Sequence, residues 1–439
     1  MNCHTGIDLY ERAGNIIPGG AHLLSKRPEM FLPGQWPAYY SRSRGVEVTD
    51  LDGNRFIDMS ICGVGACILG YADPDVDAAV KSAVDKGTMS TLNCPEEVEL
   101  AELLCELHPW ADMVRFARGG GEAMSVAVRI ARAATGRDRV AFCGYHGWHD
   151  WYLAANLADH SNLDGQLLPG LDPAGIPRCL QATAVPFNYN QTESLDAAVQ
   201  EHDGKLAAII MEPVRHSEPG RGFLRHVRKT ADKTGAVLIF DEVTSGWRMN
   251  IGGIHLSYGI NPDIAVFAKG LSNGYPMAAI TGIRPVMEAA RKTFISSTYW
   301  TERIGPAAAL AAIRKMSSHN VPEHLNRTGK SVRKTWRRAA DEYGLRISIK
   351  GIPPLSILSF DYGEMSREIH TLFTQEMLNM GFLSSKAFYA TYAHREEHLN
   401  AYERAVGEAF RTIAGAIDKN SIHELLRGPA AHTGFKRLA

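Results

Sequence analysis

Apolar and polar positions along this chain follow two periods. From about residue 74, segments with apolar residues three and four apart (DPDVDAAVKSAVDKG, PEEVELAELLCELH, EAMSVAVRIARAATG) alternate with short apolar runs, MVRFA and RVAFC. The first kind predicts amphipathic helices and the second predicts strands. Gly87 and Gly136 follow the last apolar positions and are expected to end helices, because glycine enters the left-handed region without steric cost. Further on, LAAIIM (206–211), AVLIF (236–240), IAVFA (264–268) and MAAITG (277–282) are apolar throughout, as strands covered on both faces are. FLRHVRKTADKTG, helical in period, separates the first two.

Strands alternating with helices predict an α/β fold on a mostly parallel sheet, with ligands bound beyond the carboxyl ends of the strands. Upstream, VEVTDLDGNRFIDM reads as a hairpin turning at Asp52-Gly53. After about 320 the texture changes to a long charged helix, the strands LRISIK and LSILSF, and two more helices. The expected organisation is an N-terminal segment with a hairpin subdomain (1–73), a large α/β domain (74–319) and a small α+β C-terminal domain (320–439).

Charge narrows the function. Lys and Arg total 47 against 48 Asp and Glu, a balance with no electrostatic footprint for nucleic acid or an anionic membrane. No apolar stretch has the length of a signal core or a membrane span, which points to the cytoplasm. Cys3, Cys62, Cys67, Cys94, Cys105, Cys143 and Cys179 lie at irregular spacings without a C-x-x-C pair, and reduced, mostly buried thiols are expected. Small-molecule chemistry is the remaining class.

Two strand ends carry that chemistry. AVLIF runs into Asp241-Glu242-Val243, and IAVFA runs into Lys269-Gly270. An acid and an amine at neighbouring strand ends suit pyridoxal phosphate: the lysine holds the aldehyde as a Schiff base, and the carboxylate keeps the pyridine nitrogen protonated. Taken singly, a lysine after a strand is usually a solvated terminus and an aspartate a turn or helix cap.

In their local contexts, FDEVTSGWR and FAKGLSNGYP, these residues resemble the cofactor-binding segments of class III, fold type I aminotransferases, including the glutamate-1-semialdehyde aminomutase branch. The resemblance extends through IPGG, DLDGNRFIDM, ILGYADPDV, GGGEAMSVAVRIAR, GYHGWHD and AFYATYAHREE. It implies the fold type I architecture, a large domain with a mostly parallel sheet plus a small α+β C-terminal domain. It also implies catalysis by Lys269 and Asp241, with Asp241 on the pyridine nitrogen, Val243 on one ring face, Tyr145 on the other, and Lys269 as proton shuttle.

The run Arg118-Gly119-Gly120-Gly121-Glu122 opens a helix, and within the resemblance Gly120 and Gly121 would cradle the phosphate with backbone amides. Relatives place Ser or Thr among these glycines, so another group is needed. Thr301 matches a threonine that reaches the phosphate from the neighbouring subunit, implying a homodimer with shared active sites; a helix cap is the other reading of Thr301. His146 belongs to the cofactor-stacking motif; with His149 it suggests a metal pair, but no third ligand has zinc-like spacing. Glu212 either supports the site or is a strand-end turn carboxylate.

For substrate, Arg215 can pair an anion through two parallel hydrogen bonds, and Lys26 and Arg27 share that possibility. Val64 stands where the aminomutase has an aromatic residue, and Lys386 lies near an aminomutase carboxylate. Both departures favour transfer between two substrates over isomerisation of one. The expectation is an aminotransferase carrying an amino group from a donor such as glutamate to a ketone or aldehyde in a biosynthetic pathway. An intramolecular aminomutase and a non-catalytic binding protein of the same fold are the alternatives.

Overall fold

A computed structural model of the chain describes residues 4–166, 169–214 and 217–432. They fall into two compact units: one spans 74–322, and the other joins the residues before 74 to those from 323 onward.

In the second unit the expected hairpin forms. Strands β1 (Tyr40–Arg44), β2 (Glu47–Asp50) and β3 (Arg55–Asp58) pair antiparallel. Asp50 fixes the turn, its carboxylate accepting from the backbone N–H groups of Asp52 (2.9 Å) and Asn54 (2.8 Å).

This hairpin is not a subdomain of its own. The free edge of β3 is covered in parallel by a two-residue strand from late in the chain, Phe382 and Leu383, which pair with Ile57 and Asp58. An uncovered hairpin edge is marginal in water, so the N-terminal segment and the C-terminal domain form one unit.

The 74–322 unit is built on a seven-stranded sheet. Numbering continues in chain order with β4 (Met113–Ala117), β5 (Arg139–Cys143), β6 (Ala184–Pro186), β7 (Leu206–Met211), β8 (Val237–Asp241), β9 (Ile264–Phe267) and β10 (Ala278–Gly282). The order across the sheet is β4-β10-β9-β8-β7-β5-β6. All neighbours are parallel except β10, which runs antiparallel to both β4 and β9.

The wholly apolar runs follow from two-sided burial. Along β7 and β8, Ala208, Ile210, Val237 and Ile239 pack into one core with the helix Gly120–Thr135. Their alternates Ile209, Met211, Leu238 and Phe240 pack into another with the helix Phe223–Thr234. Apart from Ala208, each such side chain contributes roughly 1.5–3 kcal/mol on leaving water. Gly136 ends the first helix at φ +66°, in the left-handed region as expected.

The rest of the other unit has β11 (Ile347–Lys350) and β12 (Leu355–Phe360) antiparallel, with β14 (Ala387–Tyr389) beside β12; Phe382–Leu383 is β13. Among the described residues the thiols are less buried than expected: Cys62 and Cys143 are buried, Cys67, Cys94 and Cys105 are half-buried, and Cys179 is exposed, while Cys3 lies outside the described residues. Among the described residues no helix is long and apolar enough to cross a membrane.

Candidate active site

Four adjacent parallel strands, β9, β8, β7 and β5, end along one edge of the sheet. The residues immediately after or at these ends are Lys269, Asp241, Glu212 and Tyr145-His146. β4 runs in the same direction, because two antiparallel pairings through β10 restore it, and it delivers Arg118-Gly119-Gly120 to that edge. The sheet therefore gathers residues far apart in sequence.

Asp241 ends β8 with 3% of its surface exposed. One carboxylate oxygen accepts from the Val243 N–H (3.0 Å), and the other lies 2.8 Å from His146 Nδ1. His146 Nε2 lies 3.2 Å from the Cys143 carbonyl. This histidine is buried and edge-on to Phe142 and Tyr152, so in the described structure it is a partner of Asp241. His149 is tilted against Trp148, with ring centroids 4.4 Å apart. Among the described residues no cluster of three or more His, Cys, Asp or Glu side chains is arranged for a metal.

Lys269 is half-buried, and its Nζ donates to the Thr244 hydroxyl at 2.9 Å. Its backbone sits at φ +45°. For a non-glycine residue that conformation costs on the order of 1–3 kcal/mol and persists only where surrounding structure imposes it. Here the pairing of β9 on one side and the buried turn Gly270-Leu271-Ser272 on the other impose it.

Glu212 is buried and accepts from the Tyr145 N–H at 3.0 Å. The neighbouring Gly144, at φ +117°, leaves no room for a side chain: a Cβ there would stand 2.7 Å from Glu212 Oε2. Its N–H donates to Gln166 Oε1 (2.6 Å), and its carbonyl accepts from the Tyr152 hydroxyl (2.8 Å). The GYHG turn is thus held on both sides, and Tyr145 and Val243 are partly buried against the core.

The glycine run opens the helix Gly120–Thr135, with Gly119 at its N-cap. The first helical bond is the Ala123 N–H to the Gly119 carbonyl (2.9 Å), so the amides of Gly120, Gly121 and Glu122 precede the ladder. A Cβ on Gly120 would lie 2.9 Å from Val243 Cγ1. A buried acid, a lysine at a strand end and a bare helix start against Val243 form a donor set that fits an anionic pyridine aldehyde.

Thr301 is exposed, its hydroxyl donating to the Thr298 carbonyl at 3.0 Å. It does not cap the helix that follows. Glu302 does, accepting from the N–H groups of Ile304 (2.6 Å) and Gly305 (2.9 Å). Arg118 Nη2 donates to the carbonyls of Trp300 (2.9 Å) and Glu302 (3.0 Å), which ties the Thr301 turn to the glycine run.

Arg215 lies outside the described residues. Lys386, Lys26, Arg27 and Val64 belong to the other unit. There Lys386 is exposed, and desolvation by its surroundings lowers its pKa. Val64 is the third of four consecutive left-handed residues, Cys62 to Gly65, at φ +58°.

Sequence reasoning missed Thr244, the partner of Lys269, and the role of Glu242. Glu242 is buried on the opposite face from Asp241, accepting from the His255 N–H (2.9 Å) with its Oε1 also 2.8 Å from His255 Nδ1. Position in the DEVT run was the available signal, since successive residues at a strand end leave opposite faces.

Known proteins share this architecture. The sequence profile described as aminotransferase class-III matches residues 33–383. A 3-aminobutyryl-CoA aminotransferase of Cloacimonas acidaminovorans is 29% identical over 93% of this chain and 97% of its own. A glutamate-1-semialdehyde 2,1-aminomutase of Roseiflexus castenholzii is 32% identical over 95% and 100%. The FumI protein of Sphingopyxis sp. MTA144, solved in its PLP internal aldimine form, superposes with a TM-score of 0.86 at 27% identity, covering 96% of this chain and 99% of that one. The chain belongs to the class-III aminotransferases, enzymes of fold type I whose cofactor is pyridoxal phosphate.

Proposed function

We propose that the chain transfers an amino group from a small-molecule donor, glutamate being the first to test, to a ketone or aldehyde acceptor in a biosynthetic pathway, with Lys269 and Asp241 as its catalytic residues. The observation that supports this is the delivery of Lys269, Asp241, Glu212 and Tyr145-His146 by four adjacent parallel strands to one edge of the sheet.

When bound, the cofactor supplies an aldehyde to capture amines and a pyridinium ring that accepts electrons from the substrate carbon. Asp241 keeps the proton on the pyridine nitrogen, and His146 orients Asp241. Tyr145 and Val243 would flank the ring. The amides at Gly120 and Gly121 bind the phosphate at the helix start, where the peptide dipoles favour an anion. Glu212 holds the Tyr145 turn in place.

Lys269 would hold the aldehyde when the cofactor is bound, and once free as a neutral amine its Nζ would carry the proton lost by the substrate carbon, with the Thr244 hydroxyl, 2.9 Å away, steadying the amine. Arg215 and Lys386 are substrate candidates. Thr301 reaches the phosphate from a second copy of the chain, and the assembly is a homodimer. Exposed apolar side chains near Thr301, Phe294 (82%) and Tyr299 (71%), support that interface. We place the enzyme in the cytoplasm.

The aminomutase reading is kept because relatives of that activity match nearly end to end. Stoichiometry separates the two: a transaminase consumes donor and acceptor, whereas a mutase needs one substrate. The direct experiment adds glutamate to the PLP-loaded protein and follows its absorption. Conversion to the pyridoxamine form with release of 2-oxoglutarate is the expected result. A lysine-bound cofactor band indifferent to every amino donor, with turnover of glutamate semialdehyde alone, would overturn it.

A further inference from the structure

Two acid–histidine pairs stand at consecutive residues on opposite faces of the sheet, and their hydrogen bonds require different proton counts. In the Asp241–His146 pair, both ring nitrogens face oxygen acceptors: Asp241 Oδ2 at 2.8 Å and the Cys143 carbonyl at 3.2 Å. Both contacts are satisfied when the pair holds two protons between them, so its net charge is zero.

In the Glu242–His255 pair, Trp110 decides. Its indole N–H can only donate, and it lies 3.0 Å from His255 Nε2. Nε2 must therefore be an acceptor, the single ring proton sits on Nδ1, and that proton is given to Glu242 Oε1 at 2.8 Å. His255 is neutral. Glu242, with no exposed surface, takes two further donors, the His255 N–H and the Ser245 hydroxyl. Burial raises its pKa, and the hydrogen bonds from His255 and Ser245 act against that.

The other groups on this face do not alter the count. His108, stacked on His255 with centroids 5.8 Å apart, has Nδ1 2.8 Å from the Leu104 carbonyl and accepts from the Gly253 N–H at Nε2, which makes it neutral too. Tyr258 keeps its proton, since burial and the nearby Glu218 and Glu242 push its pKa up to about 12. Arg248, a buried cation in the same segment, donates its Nε to the Thr244 carbonyl.

We propose that Trp110, by fixing His255 as neutral, leaves Glu242 as a permanent buried negative charge behind Asp241, and that this charge raises the proton affinity of the lysine-bound cofactor at Lys269. Glu242 and Trp110 are positioning residues in this scheme, touching neither cofactor nor substrate. The link to Lys269 is short along the backbone: the Glu242 N–H donates to the Val266 carbonyl of β9 (2.9 Å), three residues before the lysine. The inference rests on the reading of Lys269 as the cofactor-bearing residue.

The test is the pH titration of the absorption band of the PLP-loaded protein, paired with thermal melting of the cofactor-free protein. E242Q is isosteric and removes the charge, its amide oxygen able to keep the His255 bonds and its amide N–H able to donate to a turned Ser245 hydroxyl. Its band should titrate lower by about one pH unit, the order expected for one unit charge lost from partly buried surroundings. W110F frees His255 Nε2 to take a second proton, and its band should move the same way by less.

An E242Q protein that folds and binds PLP with an unshifted titration would overturn the proposal, whatever its melting temperature. If E242Q does not fold, W110F decides on the same criterion. A wild-type protein that binds PLP without a lysine-bound band would overturn the reading of Lys269 and this inference with it. A wild-type band with no shift in the variants would overturn this inference alone.

Discussion

The strand-end residues and the surface around Thr301 are held in opposite ways. Asp241, Glu212 and His146 are at most 4% exposed, and each has its polar atoms engaged by the same chain. Thr301 sits in an exposed turn beside Phe294 and Tyr299, its hydroxyl engaged only within that turn among its described bonds. The first region is organised before any ligand arrives, which is what low reorganisation cost in catalysis demands. The second has the makings of a surface completed from outside.

Substitutions should grade accordingly. Lys269→Ala is expected to lower turnover by about 10⁴-fold or more and to remove the lysine-bound absorption band; normal turnover in the purified variant would break the comparison at once. Asp241→Asn should keep the fold while lowering kcat on the order of 10²-fold, seen as weaker cofactor activity at an unchanged melting temperature. Gly120→Ala brings a Cβ to 2.9 Å from Val243. It should cost about 1–3 kcal/mol and loosen PLP, read by melting with and without cofactor.

Acid should also separate buried from exposed. Burial pushes both His108 and His394 down from 6.5 to about 4. Unfolded, these rings bind protons near pH 6.5; folded, they do so only near 4. The stability present above pH 6.5 is therefore lost as pH falls toward 4, on the order of 1 kcal/mol per pH unit for each ring. A melting temperature flat across that window would contradict it. The smallest effect belongs to Thr301→Ala, a few-fold loss of PLP affinity, about 1 kcal/mol, with the mass in solution showing whether a dimer persists.

Periodicity made the strands legible, together with the acid and the lysine at their ends. It could not give strand direction: MAAITG is as apolar as its neighbours, yet β10 runs antiparallel, because a run buried on both faces carries no mark of orientation. β13 was hidden by its two-residue length. The pairing of His146 with Asp241 depends on the ends of β5 and β8 sharing an edge, a tertiary fact. Thr244 turns toward Lys269 only in the context of a left-handed backbone at the lysine, which no local propensity announces.

The late partner of the hairpin has a consequence for synthesis. Ile57 and Asp58 leave the ribosome early, but the strand that covers them contains Phe382 and Leu383. At about 5–20 residues per second, that edge stays open for on the order of tens of seconds while the sheet of residues 113–282 is being made. A nascent chain of this enzyme therefore carries an unsealed β-edge through most of its own translation, and slowing the ribosome should lengthen the period in which it can pair with the wrong strand.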